Sequence, residues 1–261
     1  MKKQRQNVRS TKVKEILNQG EDDTPTSPKK KELDIYIRIF NAEETMHTDQ
    51  TGRFPANLSS GNKYIMVLVE IDGNYIDGEP MKDRTEGSLI KTYLILCARI
   101  TASKSVRPKT HVLDNEASEA FKNEIKKNCK IKLVPPDNHR RNLAERSIQT
   151  FKNHFKSVLA GVDDSFPMRL WDKLLPPVIL TLNLLLRQSN VAPTISAYAY
   201  VNGPFNYNAM PLAPMGCAAQ IYESTNRRKT WVENSIDGWY LRTSTEHYRC
   251  HVVHVKKTRS E

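Results

Sequence analysis

Long apolar runs are missing from this chain. The most apolar stretch, Val178 to Leu186, is too short and too polar to span a bilayer. The basic amino terminus, MKKQRQNVRS, is not followed by the apolar segment of a secretory signal. These absences exclude a membrane partner of the spanning kind and lead us to expect an intracellular protein. Cysteine is scarce as well: Cys97, Cys129, Cys217 and Cys250 form no CxxC pair, which excludes a disulfide framework and a cysteine-based zinc site. No internal repeat is visible. Acidic residues are in deficit, 29 against 40 Lys and Arg, for a formal net charge of +11. An anionic partner follows, and nucleic acid or an acidic membrane surface are the usual candidates. The 261 residues suffice for one large domain or for a core of about 150 residues with a smaller appendage, and that size permits an enzyme.

Along the chain the texture changes several times. Residues 1–32 form a basic, low-hydrophobicity arm, with nine Lys or Arg against four acids up to Lys31 and a GEDDTPTSP stretch that favours no regular structure. Either a solvated linker or a DNA-contacting arm or nuclear address fits it. From Leu33 an alternating IYIRIF segment opens a region that runs to about residue 190. Within it, Tyr64 to Ile71 and Tyr75 to Met81 are apolar runs split by Asp72-Gly73-Asn74, a hairpin signal. Glu86 to Ile100 reads as a helix, Thr110 to Leu113 as a strand, Glu116 to Asn128 as an amphipathic helix and Ile131 to Val134 as a strand. Pro135-Pro136 ends that strand, a polar loop follows, and Leu143 to Ala160 reads as a long helix. Met168 to Arg187 is helical, but its Pro176-Pro177 pair must kink or break it, which gives two pieces. After a linker of 191–214, a small β module spans 215–257, with strands expected at Trp231 to Glu233, Gly238 to Leu241 and Tyr248 to Val255.

Three acids fall at expected element ends: Asp49 in the first core strand, Asp114 just after the Thr110 strand, and Glu145 in the first turn of the long helix. Each has an ordinary structural use. Asp49 can start a turn, Asp114 can cap the following helix, and Glu145 can be the third-position acid of a capping arrangement with Asn142. Grouped, they mean more, because a β-β-β-α-β-α-β order can bring strand ends and a helix start to one sheet edge. Clustered carboxylates repel unless divalent cations neutralise them, and oxygen-only ligands favour two Mg²⁺ or Mn²⁺ ions. Such a pair drives in-line displacement at a phosphodiester.

The long helix adds its own pattern. Ala144, Ile148, Phe151, Phe155 and Val158 recur at helical spacing as a buried stripe, with Glu145, Gln149, Lys152 and Lys156 beside it. Ten Lys or Arg against three acids lie between Lys122 and Lys156. Arg140 and Arg141 in the preceding loop, with Arg146, Gln149, Lys152 and Lys156, are therefore candidate phosphate contacts. An ordinary solvated helix face remains the alternative for the lysines.

Three phrases carry a family resemblance: HTDQTGRFP from His47, LDNEAS from Leu113, and VPPDNHRRNLAER from Val134 running into SIQTFKNHF. They resemble the integrase catalytic core of copia-like and retroviral-type LTR retroelements, and the likeness extends to about Lys257 through FPMRLWDKLLP and LNLLLRQS. The resemblance implies a ribonuclease-H-like α/β fold, a mixed sheet with flanking helices over 33–190, followed by a small β-barrel-like module. It implies Asp49, Asp114 and Glu145 as catalytic metal ligands, with two Mg²⁺ or Mn²⁺ ions as cofactors. The Asp114 to Glu145 spacing of 31 positions is a few short of the commonest retroviral pattern, which a shorter loop would absorb. The expected function is a polynucleotidyl transferase that processes element DNA ends and joins them to target DNA, acting in the nucleus as a homo-oligomer. The alternatives are a non-catalytic nucleic-acid-binding remnant and a ribonuclease-H-like nuclease. The family's amino-terminal zinc module, His-x₃-His with Cys-x₂-Cys, has no counterpart in the sequence. His247, Cys250, His251 and His254 alternate across an expected strand, which disfavours a shared zinc ion. Trp231, Trp239, Tyr240 and Tyr248 are expected to build the core of the small module rather than a base-stacking surface.

Overall fold

The computed structural model describes residues 44–55, 60–102, 108–113, 117–133, 143–223 and 231–261. The described residues all belong to one compact unit, Phe40–Glu261. The basic arm, the Leu33 segment, Asp114, and the loop with Pro135-Pro136, Arg140 and Arg141 lie outside the described residues. Element labels count described elements in chain order.

Five strands form one mixed sheet in the order β3-β2-β1-β4-β5: β1 Thr45–Gln50, β2 Tyr64–Glu70, β3 Tyr75–Met81, β4 Thr110–Leu113 and β5 Lys130–Leu133. The first three are antiparallel, while β4 runs parallel to β1 and β5 parallel to β4. Helices α1, Glu86–Ala102, and α2, Glu119–Lys126, make the crossovers that parallel pairing requires. This mixed sheet with flanking helices fits the ribonuclease-H-like core that the resemblance implied.

The sheet is covered on both faces, and β2 shows why. Its run IMVLV has no polar alternation, as expected of a strand buried on two sides. Met66 and Leu68 pack with Met46 against Tyr93, Leu96 and Ile100 of α1 and Phe121 and Ile125 of α2. Ile65, Val67 and Val69 pack on the other face against Ile148, Phe151 and Phe155 of α3, Leu143–Ala160. From Ile148 onward the helical spacing in the α3 sequence becomes the buried stripe, with Val158 partly buried at its end; the Ala144 side chain lies outside what is described.

The β2–β3 hairpin closes through Asp72, Gly73 and Asn74, as its turn signal indicated. The Glu70 carboxylate accepts the amides of Asp72 and Gly73 at 2.9 and 2.6 Å, and burial pushes its pKa up to about 7. Gly73 is required there: a Cβ would sit 2.7 Å from both Glu70 Oε2 and the Tyr200 ring.

The Met168 to Arg187 stretch does break, into a 3₁₀ segment Met168–Leu174, helix α4 Leu175–Thr181 and a π-helical turn Leu182–Leu186. Pro176 and Pro177 sit in the first turn of α4, where their missing amides have no intrahelical partner to lose. In the π turn Asn183 turns its amide onto the edge strand, accepting from Ile76 N–H at 2.9 Å and donating to Ile76 C=O at 2.7 Å. Those bonds satisfy an edge that would otherwise present open backbone groups. Helix α5, Ala197–Asn202, follows.

The carboxyl-terminal region meets expectation in part, with strands found at the expected Gly238 to Leu241 and within Tyr248 to Val255. Its described strands are β6 Ala218–Tyr222, β7 Ser235–Thr243 and β8 His251–Val255, forming a three-stranded antiparallel sheet with β7 central. Trp231 to Glu233 is turn, not strand, and β6 was not anticipated, because its AAQIY text carries little strand signal. The sheet shares the main core: Trp239 and Leu241 join the cluster beneath α3, Trp239 meets Phe166 edge-on at 5.9 Å, and its Nε1 donates to Ser165 Oγ at 3.3 Å. The four aromatics divide, with Trp239 and Tyr240 buried but Trp231 99% and Tyr248 70% exposed. The latter two occupy turns, whose side chains have no facing layer to pack against.

Candidate active site

Asp49 lies near the carboxyl end of β1, the strand with partners on both sides of the sheet centre. It pairs with Val67 of β2, and cross-strand partners share a face. Because Val67 packs into the cluster beneath α3, Asp49 leaves the sheet on the α3 side. Its Oδ1 accepts the Gln50 amide at 2.6 Å.

At its strand end Asp49 also borders a cleft of about 400 Å³ that opens on the opposite, α1–α2 side of the sheet, where Thr48, Met66, Arg84, Glu86, Leu89, Leu113, Ser118 and Phe121 line it. Leu113 is the last residue of β4 and the immediate predecessor of Asp114, which lies outside the described residues. Glu145 stands exposed in the first turn of α3, the helix that packs across β1 and β2. Arg146 and Gln149 are exposed on the same helix, Lys156 is exposed and Lys152 half-buried. Among the described residues, no three His, Cys, Asp or Glu side chains come together as a metal site. His251 and His254 diverge on β8, the first meeting the Tyr240 ring and the second stacking on Trp239.

Beneath the cleft sits a buried polar contact. Thr48 Oγ1 and His111 Nε2 are 2.9 Å apart, and His111 Nδ1 lies 3.4 Å from the Tyr93 hydroxyl. His111 is fully buried, and burial first, then the neighbouring His47, push its pKa down to about 3. The imidazole is therefore neutral under ordinary conditions. It fixes Thr48, and through it the strand end that carries Asp49.

Arg84 was not singled out in the sequence. Its Nη2 donates to Thr51 C=O at 2.8 Å and its guanidinium lies 4.8 Å over the Tyr64 ring, which holds a cation at the cleft wall. Among the described residues no carboxylate forms an ion pair with it. Nothing in its local sequence, KDRTEG, marks it, since only the fold brings the β3–α1 connection beside β1. Arg53 and Phe54, by contrast, fall within the HTDQTGRFP phrase.

No protein-family model matches the chain, and no curated protein matches it. Among solved structures, it is similar to a chain of the simian T-cell lymphotropic virus intasome in complex with PP2A regulatory subunit B56 gamma, at 14% identity, TM-score 0.48, covering 84% of this chain and 81% of that one. It is also similar to the catalytic core domain of BIV integrase, at 16% identity, TM-score 0.43, covering 60% of this chain and 93% of that one. Likeness at this level assigns no residue a role. No described helix is long and apolar enough to cross a membrane.

Proposed function

We propose that this chain is an integrase-type polynucleotidyl transferase of LTR-retroelement origin, joining DNA ends to a DNA target. The observation that carries the reading is the side from which Asp49 emerges: the same face on which α3 packs, with Glu145 in the first turn of that helix. The donors are carboxylate oxygens, the chemistry that hard divalent cations take. Asp49, Asp114 and Glu145 would hold two Mg²⁺ or Mn²⁺ ions, which when bound activate an attacking oxygen and stabilise a leaving one. The chain's own part is positioning. Thr48 and His111 stiffen the strand under Asp49, Arg84 offers donors at the cleft wall, and Arg146, Gln149, Lys152 and Lys156 suit a DNA backbone along α3. Such binding weakens steeply with salt.

Metal-dependent joining of oligonucleotide ends tests this. Joining by the wild type and none by Asp114→Asn or Asp49→Asn supports it. Equal signal from all three defeats it in favour of a non-catalytic nucleic-acid-binding remnant. Cutting of an RNA–DNA hybrid without joining of a supplied DNA 3′-hydroxyl would point to a nuclease instead. Nuclear residence and assembly into a homo-oligomer belong to the same proposal.

A further inference from the structure

A second cavity, of about 590 Å³, opens between α3 and the segment that follows β1. Its floor is aromatic, with Phe54 and Phe155, and Met168 stands at its mouth 46% exposed. Among the described residues its cations are Arg53, Lys152 and Lys156, and no carboxylate lines it. The floor is rigid: the Phe54 ring lies 4.3 Å from Trp171 and 6.0 Å from Phe155, and the Phe54 amide donates to Lys63 C=O at 2.7 Å.

These features define a ligand with two unlike parts. An apolar guest alone has no use for three cations, and a backbone phosphate alone has no use for an aromatic floor. A flat ring carrying a phosphate satisfies both, through stacking on the partly exposed Phe54 and contact with the amines and guanidinium. We propose that this cavity receives one unstacked nucleobase of the DNA strand held at the Asp49 site. The proposal rests on the transferase reading and adds to it a base-binding subsite. A paired base hides its faces within the stack, so the guest is a base freed at a frayed end or extruded from the duplex. From Glu145 to Lys152 α3 advances seven residues, about 10 Å at 1.5 Å each. At about 3.4 Å per nucleotide along a strand, the guest base lies about three nucleotides from the reacting phosphodiester.

The test is an abasic scan with the full chain. DNA ends carrying one abasic residue at each successive terminal position are compared with intact DNA by fluorescence anisotropy. One position should weaken binding about tenfold, the loss of one base–aromatic stack, while the others stay within about twofold. Phe54→Ala removes the floor directly but touches the core. Met168→Glu therefore serves as the second variant, placing a carboxylate at the mouth without entering the core, and it should erase the position dependence. A flat scan, or position dependence that survives Met168→Glu, overturns the proposal. Displacement of the DNA by an acidic aromatic peptide, with no position dependence, assigns the cavity to a protein partner and also overturns it. Joining assays on the same DNAs keep the two readings separate. Joining with a flat scan removes the base subsite alone, whereas a position-dependent scan without joining removes the transferase reading alone.

Discussion

The two hollows at the end of β1 lie a few residues apart in sequence and differ in almost every physical respect. The cleft beside Asp49 mixes polar walls, Arg84, Glu86 and Ser118, with Met66, Leu89 and Phe121, and a buried neutral histidine holds its Thr48. The Phe54 cavity is aromatic, rimmed by cations and seated on the main core. On the proposed reading, the strand end between them would keep charge chemistry in one while the other gripped the DNA by surface and shape. The charged groups that would then meet ions stay near water, and the side chains beneath them are buried and uncharged.

This contrast can be broken at either hollow. The largest effect belongs to Asp49→Asn, expected to lower metal-dependent joining by about a thousandfold, roughly 4 kcal/mol of transition-state stabilisation. DNA affinity should change little, as anisotropy would show; parallel loss of binding would argue that Asp49 has a structural role. Next comes Phe155→Ala, which empties buried volume beneath the second cavity and should cost about 3–5 kcal/mol in urea unfolding. Arg84→Gln, its counterpart on the exposed cleft wall, should change stability by less than about 0.5 kcal/mol yet weaken DNA binding. If the two substitutions were equally destabilising, the division between a supported floor and a solvated wall would fail.

Two smaller effects sharpen the comparison. His111 has a folded pKa of about 3, below the ordinary 6.5, so the unfolded chain takes up the proton first as pH falls. The stability that neutral His111 confers is complete above pH 6.5 and is lost progressively between 6.5 and 3. Thermal unfolding across that window should show the decline, and His111→Gln, which retains a polar partner for Thr48, should flatten that part of the slope. The smallest change is expected from Lys156→Gln. It should weaken binding to all DNA sequences alike and reduce the slope of log K against log salt by about one, measured by salt titration.

Much of this was legible in the sequence where pattern is local and strong. Two apolar runs mark β2 and β3 and the 3.6-residue spacing marks α3, which begins and ends where its sequence indicates, at Leu143 and Ala160. The turn at Asp72-Gly73-Asn74 and the break before Pro176-Pro177 follow from backbone rules that need no tertiary partner. The carboxyl-terminal sheet was less legible. AAQIY has no apolar alternation to mark β6, while Trp231 looked like core because an aromatic's burial depends on what faces it. Arg84 was invisible for a related reason, being a single cation in a polar connection whose importance comes from its neighbours in space.

By itself, the sequence determined the alternation of strands and helices, the positive charge along α3 and the three acids that invite a metal-dependent reading. Local backbone preference and side-chain periodicity are enough for those. Only the tertiary structure decided that Asp49 faces α3, that His111 lies neutral beneath Thr48 and that Arg53, Phe54, Lys152 and Lys156 surround one cavity. Strand register and helix docking join residues about a hundred positions apart, and those contacts are chosen by which faces can be buried together across the whole sheet, not by any neighbour in the chain.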